Sequence, residues 1–212
     1  MVVKSADSPP RVSPQTKMTF EEFLEWCDED TWAEWVDGEV QIVSPASDEH
    51  QSIEVFLTSL LSFYVLKKKL GRILNAPFLM RLPNVPRGRE PDILFVRQEH
   101  LARIKRTYLD GAADLVIKII SPESIARDRG DKFVEYEQAG VTEYWLIDPL
   151  RHRAEFYVLN SAGVYQNINI DVSGIYRSQV VDGFWLRVDW LWQDPLPLAE
   201  DVLREIRENQ KM

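Results

Sequence analysis

The segment Leu115–Ile120 constrains the fold most, because five of its six residues are apolar and most of those are β-branched. An apolar run this short, bounded by Asp114 and by Ser121-Pro122, is typical of a β-strand covered on both faces. The run TEYWLID at 142–148 has the same character. Because helical segments alternate with these runs, the sequence predicts an α/β domain with a mixed β-sheet flanked by helices.

Capping and turn residues predict the helices and the hairpin in the first part of the chain. Thr19 is a candidate N-cap, with Glu21 and Glu22 in the first turn of a helix. Asp37-Gly38 between TWAEWV and EVQIV predicts an N-terminal β-hairpin, which Ser44-Pro45 ends. Ser47 predicts the start of a long helix whose apolar residues recur at three- and four-residue steps. This helix is expected to end near Lys67–Leu70, with Gly71 as the stop.

The remainder of the chain is predicted to consist mainly of strands, with one internal helix and one final helix. Three apolar runs, RILNAPFLMRL, PDILFV and ADLVIKII, predict three strands. A helix is expected from about Glu123 to Gln138, stopped by Gly140. A hairpin around 160–163, a short strand near 184–188 and a final amphipathic helix complete a strand-rich C-terminal extension.

Length and composition are those of a globular protein. The chain has 212 residues, 45% apolar and 28% charged, which suits one domain over 18–212 after a disordered N-terminal tail at 1–17. The single cysteine, Cys27, can form neither an internal disulfide nor a zinc cluster, which fits a reducing compartment. No stretch is long and apolar enough to span a membrane, so the expected location is the cytoplasm, with no membrane partner.

The charge is distributed unevenly along the chain. The net charge is −9, which argues against a general nucleic-acid binder. Residues 67–106 nevertheless carry eleven basic and three acidic side chains, so this segment is +8 and the remainder −17. The segment is either a surface that binds a polyanion or a solvated face that keeps the protein soluble, and charge alone does not separate these readings.

Two residues on the predicted strands are candidates for chemistry. Lys118 interrupts the apolar run, and a buried lysine needs a partner for its charge, although its stem can also reach the strand end. Asp92 opens the strand PDILFV, where it can either face a ligand or cap a turn. Ionisable groups in such surroundings cluster at functional sites, which favours a role for Lys118.

Two helices supply the other candidates. Asp128, Lys132 and Tyr136 lie four residues apart and share a helix face, where Asp128 and Lys132 can also form a surface ion pair of little energetic weight. His50, beside Glu49 at the start of the long helix, can carry a proton or simply bond to a loop. An aspartate on one strand, a polar residue within the next and a lysine on the following helix together resemble sites that hold a divalent metal.

These pieces resemble a known family. DGEVQIVSPASDEH (37–50), PDILFV (91–96) and DLVIKIISPESIARDRGDKFVEYEQAGVTEYWLIDP (114–149) are similar to the bacterial restriction endonucleases of the Uma-two type, within the PD-(D/E)XK nuclease superfamily. The resemblance spans roughly residues 18–190. It implies a restriction-endonuclease-like fold and an endonuclease that hydrolyses DNA phosphodiesters with Mg²⁺ or Mn²⁺.

The resemblance also implies roles for particular residues. Asp92 matches the metal-binding aspartate, Lys132 a catalytic lysine moved onto the helix, and His50 a histidine at the start of the long helix. The basic segment 67–106 would then hold the DNA backbone, and the substrate-binding candidates in it are Arg87, Arg89 and Arg97. Nucleases that cut both strands often pair, so a homodimer through the aromatic-rich region 153–192 is expected.

The sequence departs from the family pattern at position 118, where the family has a metal-binding glutamate and this chain has Lys118. A cation there replaces an anionic ligand. Three alternatives follow: an inactive site left in a protein that binds DNA or a protein partner, another acid such as Glu123 or Glu49 in the ligand's place, or Lys118 itself in the place of the metal, paired with Asp92.

Overall fold

The computed structural model describes residues 17–27, 31–42, 46–82, 84–122 and 124–209. The predicted tail, except for Lys17, lies outside the described residues, as do Ser44-Pro45 and Glu123. The described residues form five α-helices: α1 (Phe20–Trp26), α2 (Asp48–Lys68), α3 (Ile125–Arg129), α4 (Asp131–Ala139) and α5 (Ala199–Asn209). They form thirteen β-strands: β1 (Ala33–Val36), β2 (Glu39–Ile42), β3 (Gly71–Asn75), β4 (Leu79–Leu82), β5 (Arg87–Arg89), β6 (Ile93–Arg97), β7 (Tyr108–Asp110), β8 (Leu115–Ile119), β9 (Glu143–Asp148), β10 (Arg153–Leu159), β11 (Tyr165–Asn167), β12 (Ile175–Arg177) and β13 (Trp185–Arg187).

The strands form three sheets. The main sheet has six strands in the order β11-β10-β9-β8-β6-β3, and it is mixed because β8 and β9 are parallel while its other pairs are antiparallel. A second sheet has the order β2-β1-β5-β4-β7, and β12 pairs with β13. The predicted α/β class with a mixed sheet, an N-terminal hairpin and a strand-rich C-terminal region is therefore confirmed.

The two faces of the main sheet are both covered, which explains the nearly unbroken apolar run in β8. Ile117 and Trp145 pack with α2 and α5 on one face. Val116 and Tyr144 pack on the other face with Tyr136 of α4 and with residues of the second sheet. By strand alternation Lys118 belongs to this second face, where α4 covers it.

The caps predicted for the first two helices are confirmed. The Thr19 side chain accepts from the Glu22 N–H while the Glu22 carboxylate accepts from the Thr19 N–H, which forms a capping box. The Ser47 side chain accepts from the His50 N–H at the start of α2. Gly71 is not the residue that ends α2, because Lys69 adopts the left-handed conformation with φ 57°. Gly71 is instead needed at the start of β3, where a Cβ would lie 2.0 Å from the Val96 carbonyl oxygen.

Two predicted elements are each split in the structure. The run RILNAPFLMRL, predicted as one strand, forms β3 in the main sheet and β4 in the second sheet, with Pro77 between them. The helix predicted from about Glu123 to Gln138 forms α3 and α4, which meet at Gly130. A Cβ at Gly130 would lie 2.7 Å from the Ala126 carbonyl oxygen, so the close approach of the backbone at this bend requires glycine.

Candidate functional site

A buried ion pair lies at the centre of the site. The Lys118 Nζ atom is 2.5 Å from Asp92 Oδ1, and the Ile119 N–H donates to Asp92 Oδ2 at 2.5 Å. Asp92 is 5% exposed and Lys118 8%. Burial opposes ionisation of Asp92, but Lys118 and His50 together outweigh it and hold the pKa of that carboxyl at about 2. Burial likewise opposes the charge on Lys118, but Asp92, together with the charges of Asp128 and Glu34, outweighs it and raises the pKa of the ammonium. Both groups are therefore charged at neutral pH.

The first turn of α2 lies beside this pair. His50 Nε2 is 3.5 Å from Asp92 Oδ1 and 3.8 Å from Glu54 Oε2. Among the described residues His50 Nδ1 is buried without a hydrogen-bond partner. Burial and the nearby Asp92 charge raise the pKa of the Glu54 carboxyl. The imidazole is thus held between two carboxylates at the edge of the site.

The helix lysine reaches the same region. Lys132 Nζ is 2.9 Å from Glu34 Oε1 and 3.3 Å from Asp128 Oδ1. Asp128 and Lys132 are 0% and 4% exposed, so this pair is interior and not on a solvated surface. Although burial opposes the Glu34 charge, Lys132 and then Arg89 lower the pKa of its carboxyl to about 2.

Two of the three arginines predicted to bind substrate, Arg87 and Arg89, donate hydrogen bonds to carboxylates beside the site. Arg89 is 2% exposed, and its guanidinium donates to Glu34 and twice to Glu135. Arg87 donates to Glu135 at 2.8 Å and also to Asp37. These bonds tie β5 to β1 and α4, so in the structure both guanidiniums hold the walls of the site together.

A cleft of about 320 Å³ opens onto these groups. Asp92, Lys118, Lys132 and His50 all line it, so the structure brings the four predicted catalytic residues together. Exposed Trp32 and Ile42 lie at its wall, and Arg127 joins it to a neighbouring cleft. Glu90 also faces it, and burial together with the Glu34 charge raises the pKa of Glu90 to about 8.

The buried ion pairs described above join equal numbers of cations and carboxylates. We define the buried charge cluster as four cations and four carboxylates linked by the pairs above: Lys118, Lys132, Arg87, Arg89, Asp92, Asp128, Glu34 and Glu135. Glu90, with its raised pKa, is mostly protonated at pH 7 and adds little charge. The cluster is thus close to neutral.

Other predicted residues lie away from the cleft. Arg97 is the last residue of β6, about 16 Å along the strand from Asp92 at 3.3 Å per residue. Its Nε is 3.8 Å from Asp114, and its Nη1 is 3.8 Å from Glu99. Glu49, one of the two acids considered as a substitute ligand, is exposed and does not line the cleft, and the other, Glu123, is outside the described residues.

The sequence interpretation missed Glu34, Glu90 and Glu135. Glu34 gave the same signal as Lys118, because it is a charged residue within an apolar strand segment, TWAEWV. Glu90 directly precedes Pro91-Asp92, which opens the predicted strand PDILFV. Glu135 gave no local signal, since a glutamate on a helix is ordinary and only its contact with β5 reveals its role.

Comparisons with known proteins agree with this arrangement. A crystal structure titled as a "putative nuclease belonging to DUF820" from Anabaena variabilis ATCC 29413 superposes with a TM-score of 0.69 and 17% identity, covering 82% of this chain and 97% of that one. The two chains therefore share a fold. The Uma2 family, described as "Putative restriction endonuclease", matches residues 20–189, and the chain belongs to this family. No curated protein matches the sequence. No described helix is long and apolar enough to cross a membrane.

The residues present do not fit the divalent metal that the nuclease fold implies. Asp92 Oδ1 already contacts the Lys118 ammonium and Oδ2 already accepts the Ile119 N–H. Within the described ranges no three His, Cys, Asp or Glu side chains are grouped as ligands for an ion. A divalent cation would also add two positive charges beside Lys118 in a nearly neutral cluster, which is unfavourable in a buried site.

Proposed function

We propose that this chain is a nuclease-fold protein that binds nucleic acid without metal-dependent cleavage. The observation that carries the proposal is the 2.5 Å contact between Lys118 Nζ and Asp92 Oδ1. In this reading the ammonium stands where a Mg²⁺ or Mn²⁺ ion would otherwise neutralise Asp92. Asp92, Lys132 and His50 then serve as a structural remnant of a cleavage site.

Charge arithmetic supports the proposal. Replacing Lys118 by glutamate removes one positive and adds one negative charge, which would leave the nearly neutral buried charge cluster at about −2. A cluster of that charge matches one divalent cation, and hard carboxylate oxygens are its preferred ligands. The lysine thus balances the charge that a metal ion would balance in a carboxylate site.

A plasmid nicking assay tests the proposal. Supercoiled DNA is incubated with Mg²⁺ or Mn²⁺ and with wild-type protein, Lys118→Glu, or the double variant Asp92→Asn/Lys118→Glu, after circular dichroism has shown each to be folded. We expect the wild type to leave the plasmid intact, and any Mn²⁺-dependent nicking by Lys118→Glu to vanish in the double variant.

The alternative is the metal-dependent DNA endonuclease that the family resemblance implies. It predicts metal-dependent nicking by the wild-type protein that is lost in Asp92→Asn, and that result would overturn the proposal. Failure of the wild-type protein to bind DNA or RNA at low salt would overturn the binding half separately. A homodimer through region 153–192 and a cytoplasmic location stay predictions.

A further inference from the structure

The basic residues of segment 67–106 lie in different surroundings in the structure. Arg87 and Arg89 turn inward to the buried charge cluster. A second group is exposed or partly exposed and lies elsewhere. We call it the distal basic surface: Lys67, Lys68, Lys69, Arg72 and Arg97.

Backbone pairing brings this group together. Gly71 pairs with Arg97 across β3 and β6, and the Gln98 N–H donates to the Leu70 carbonyl at 2.9 Å. The end of α2, the start of β3 and the end of β6 therefore meet at one end of the main sheet. The 3₁₀ helix Gln98–Arg103 packs on the same two strands and adds the partly exposed His100.

The cleft lies at the opposite end of the same elements. His50 lines the cleft from the first turn of α2, whereas Lys67 lies 17 residues later, about 26 Å along the helix axis. Asp92 precedes β6 and Arg97 ends it. Asn75, the last residue of β3, donates to the Asp92 carbonyl oxygen, so β3 also runs from the distal basic surface to the cleft.

The charge balance differs between the two ends. The buried charge cluster is nearly neutral, so the cleft offers no excess of cations to a phosphate chain. The distal basic surface has five cations, and two acids lie near its Arg97: Glu99 is 3.8 Å away, and the carboxylate of Asp114 is buried and shared with His100. Because the chain outside residues 67–106 is −17, a polyanion is repelled from most of the surface and attracted here.

We propose that the distal basic surface, and not the cleft, holds the phosphate backbone of a nucleic-acid duplex. This inference rests on the proposed function and specifies where that binding takes place. Lys67, Lys69 and Arg72 contact phosphates directly, since their side chains are exposed at the meeting of α2 and β3. The distal basic surface lies about 13–26 Å along the strands and along α2 from the residues that line the cleft.

Salt-dependent binding of a fluorescent duplex, measured by anisotropy, tests the inference. The distal variant Lys67→Gln/Lys69→Gln/Arg72→Gln is compared with a control of equal charge change, Lys17→Gln/Arg177→Gln/Arg204→Gln, whose side chains are 67%, 65% and 62% exposed elsewhere. A third variant, Arg127→Gln, removes an exposed cation at the cleft.

The expected result is a loss of about tenfold or more in affinity for the distal variant at about 100 mM salt. Its plot of log K against log salt should flatten by about 2 to 3, since about 0.9 counterion is released per phosphate contact. The control and Arg127→Gln should change far less.

Three results would overturn the inference. Equal losses in the distal and control variants would mean that only net charge matters. A loss confined to Arg127→Gln would put the duplex at the cleft and leave the proposed function standing. Binding to vesicles with anionic lipid, but not to the duplex, would mean that the surface meets a membrane and that the nucleic-acid half of the proposed function also fails.

Discussion

Removing the Lys118 ammonium should destabilise the protein substantially. The variant Lys118→Met keeps most of the apolar stem and removes the charge next to Asp92. The pKa of Asp92 is about 2 against an ordinary 3.8, a difference of nearly two units, which corresponds to about 2 kcal/mol at 1.36 kcal/mol per unit. Removing one partner of a buried pair costs about 3–5 kcal/mol because the other charge stays uncompensated. We therefore expect the free energy of unfolding to fall by about 2–5 kcal/mol at pH 7.

The pH dependence of this loss identifies its cause. In the wild type the folded pKa of Asp92 is depressed, so its stabilisation is present above pH 4 and disappears as the pH falls towards 2. In Lys118→Met burial still opposes the charge of Asp92, while His50 and the Ile119 N–H favour it less strongly than Lys118 and they do together, so the carboxyl protonates at higher pH and the destabilisation is relieved. The difference in unfolding free energy between the two proteins should therefore be largest near neutral pH, shrink as the pH falls through the raised Asp92 pKa of the variant, and shrink further from about pH 4 to 2.

Urea denaturation at several pH values measures both effects, with the midpoint and slope fitted together. Lys67→Met, an exposed lysine at the end of α2, is the matched control and should change stability by less than about 0.5 kcal/mol. If Lys118→Met matches this control at pH 7, the Lys118–Asp92 pair does not stabilise the site and the charge argument behind the proposed function is refuted.

Three further predictions concern the same region. Glu90, whose folded pKa is raised to about 8, contributes stability that is present below pH 4.5 and is lost as the pH rises through 8, so Glu90→Gln should flatten the dependence of melting temperature on pH between 5 and 8. Glu135→Gln leaves the buried Arg89 with one carboxylate fewer and should cost about 3–5 kcal/mol in urea denaturation, whereas Glu205→Gln, at a pair with half-exposed Arg187, should cost less than about 1 kcal/mol. The melting temperature of the wild type in EDTA and in excess Mg²⁺ should agree within about 1 °C, while Lys118→Glu should gain several degrees from Mn²⁺; a shift in the wild type would contradict the poor fit of a metal at Asp92.

Local patterns were sufficient to predict much of the fold. The apolar run around Lys118, the Asp37-Gly38 turn and the Ser47 cap each specify a structure through a few neighbouring residues. The splits at Pro77 and Gly130 were not predicted, because the apolar spacing continues across both positions. The strand is interrupted at Pro77 because β3 and β4 belong to different sheets. The helix is interrupted at Gly130, where the backbone approaches the Ala126 carbonyl oxygen closely.

The sequence predicted most residues of the candidate site, but it did not predict which of them contact one another. The cost of burying Lys118 indicated that a partner exists, and the family resemblance pointed to Asp92, which contacts it. The partner of Lys132 is harder to find from sequence, because Glu34 comes from a hairpin about one hundred positions earlier. The burial of Arg89 could not be predicted either, because it depends on the contact with Glu135 on α4. Some arginines of the basic segment are therefore buried although the segment is uniformly basic in sequence.

The length of α2 has a mechanical consequence. A straight helix of 21 residues behaves as a rigid rod about 30 Å long, and this one carries His50 at one end and Lys67 at the other. Pivoting such a rod by about 5° around its midpoint displaces its two ends by about 1 Å in opposite directions. A movement of about 1 Å is nearly a third of the 3.5 Å separation of His50 Nε2 from Asp92 Oδ1, so a displacement of α2 at the Lys67 end would change the spacing of His50 and Asp92 at the other end.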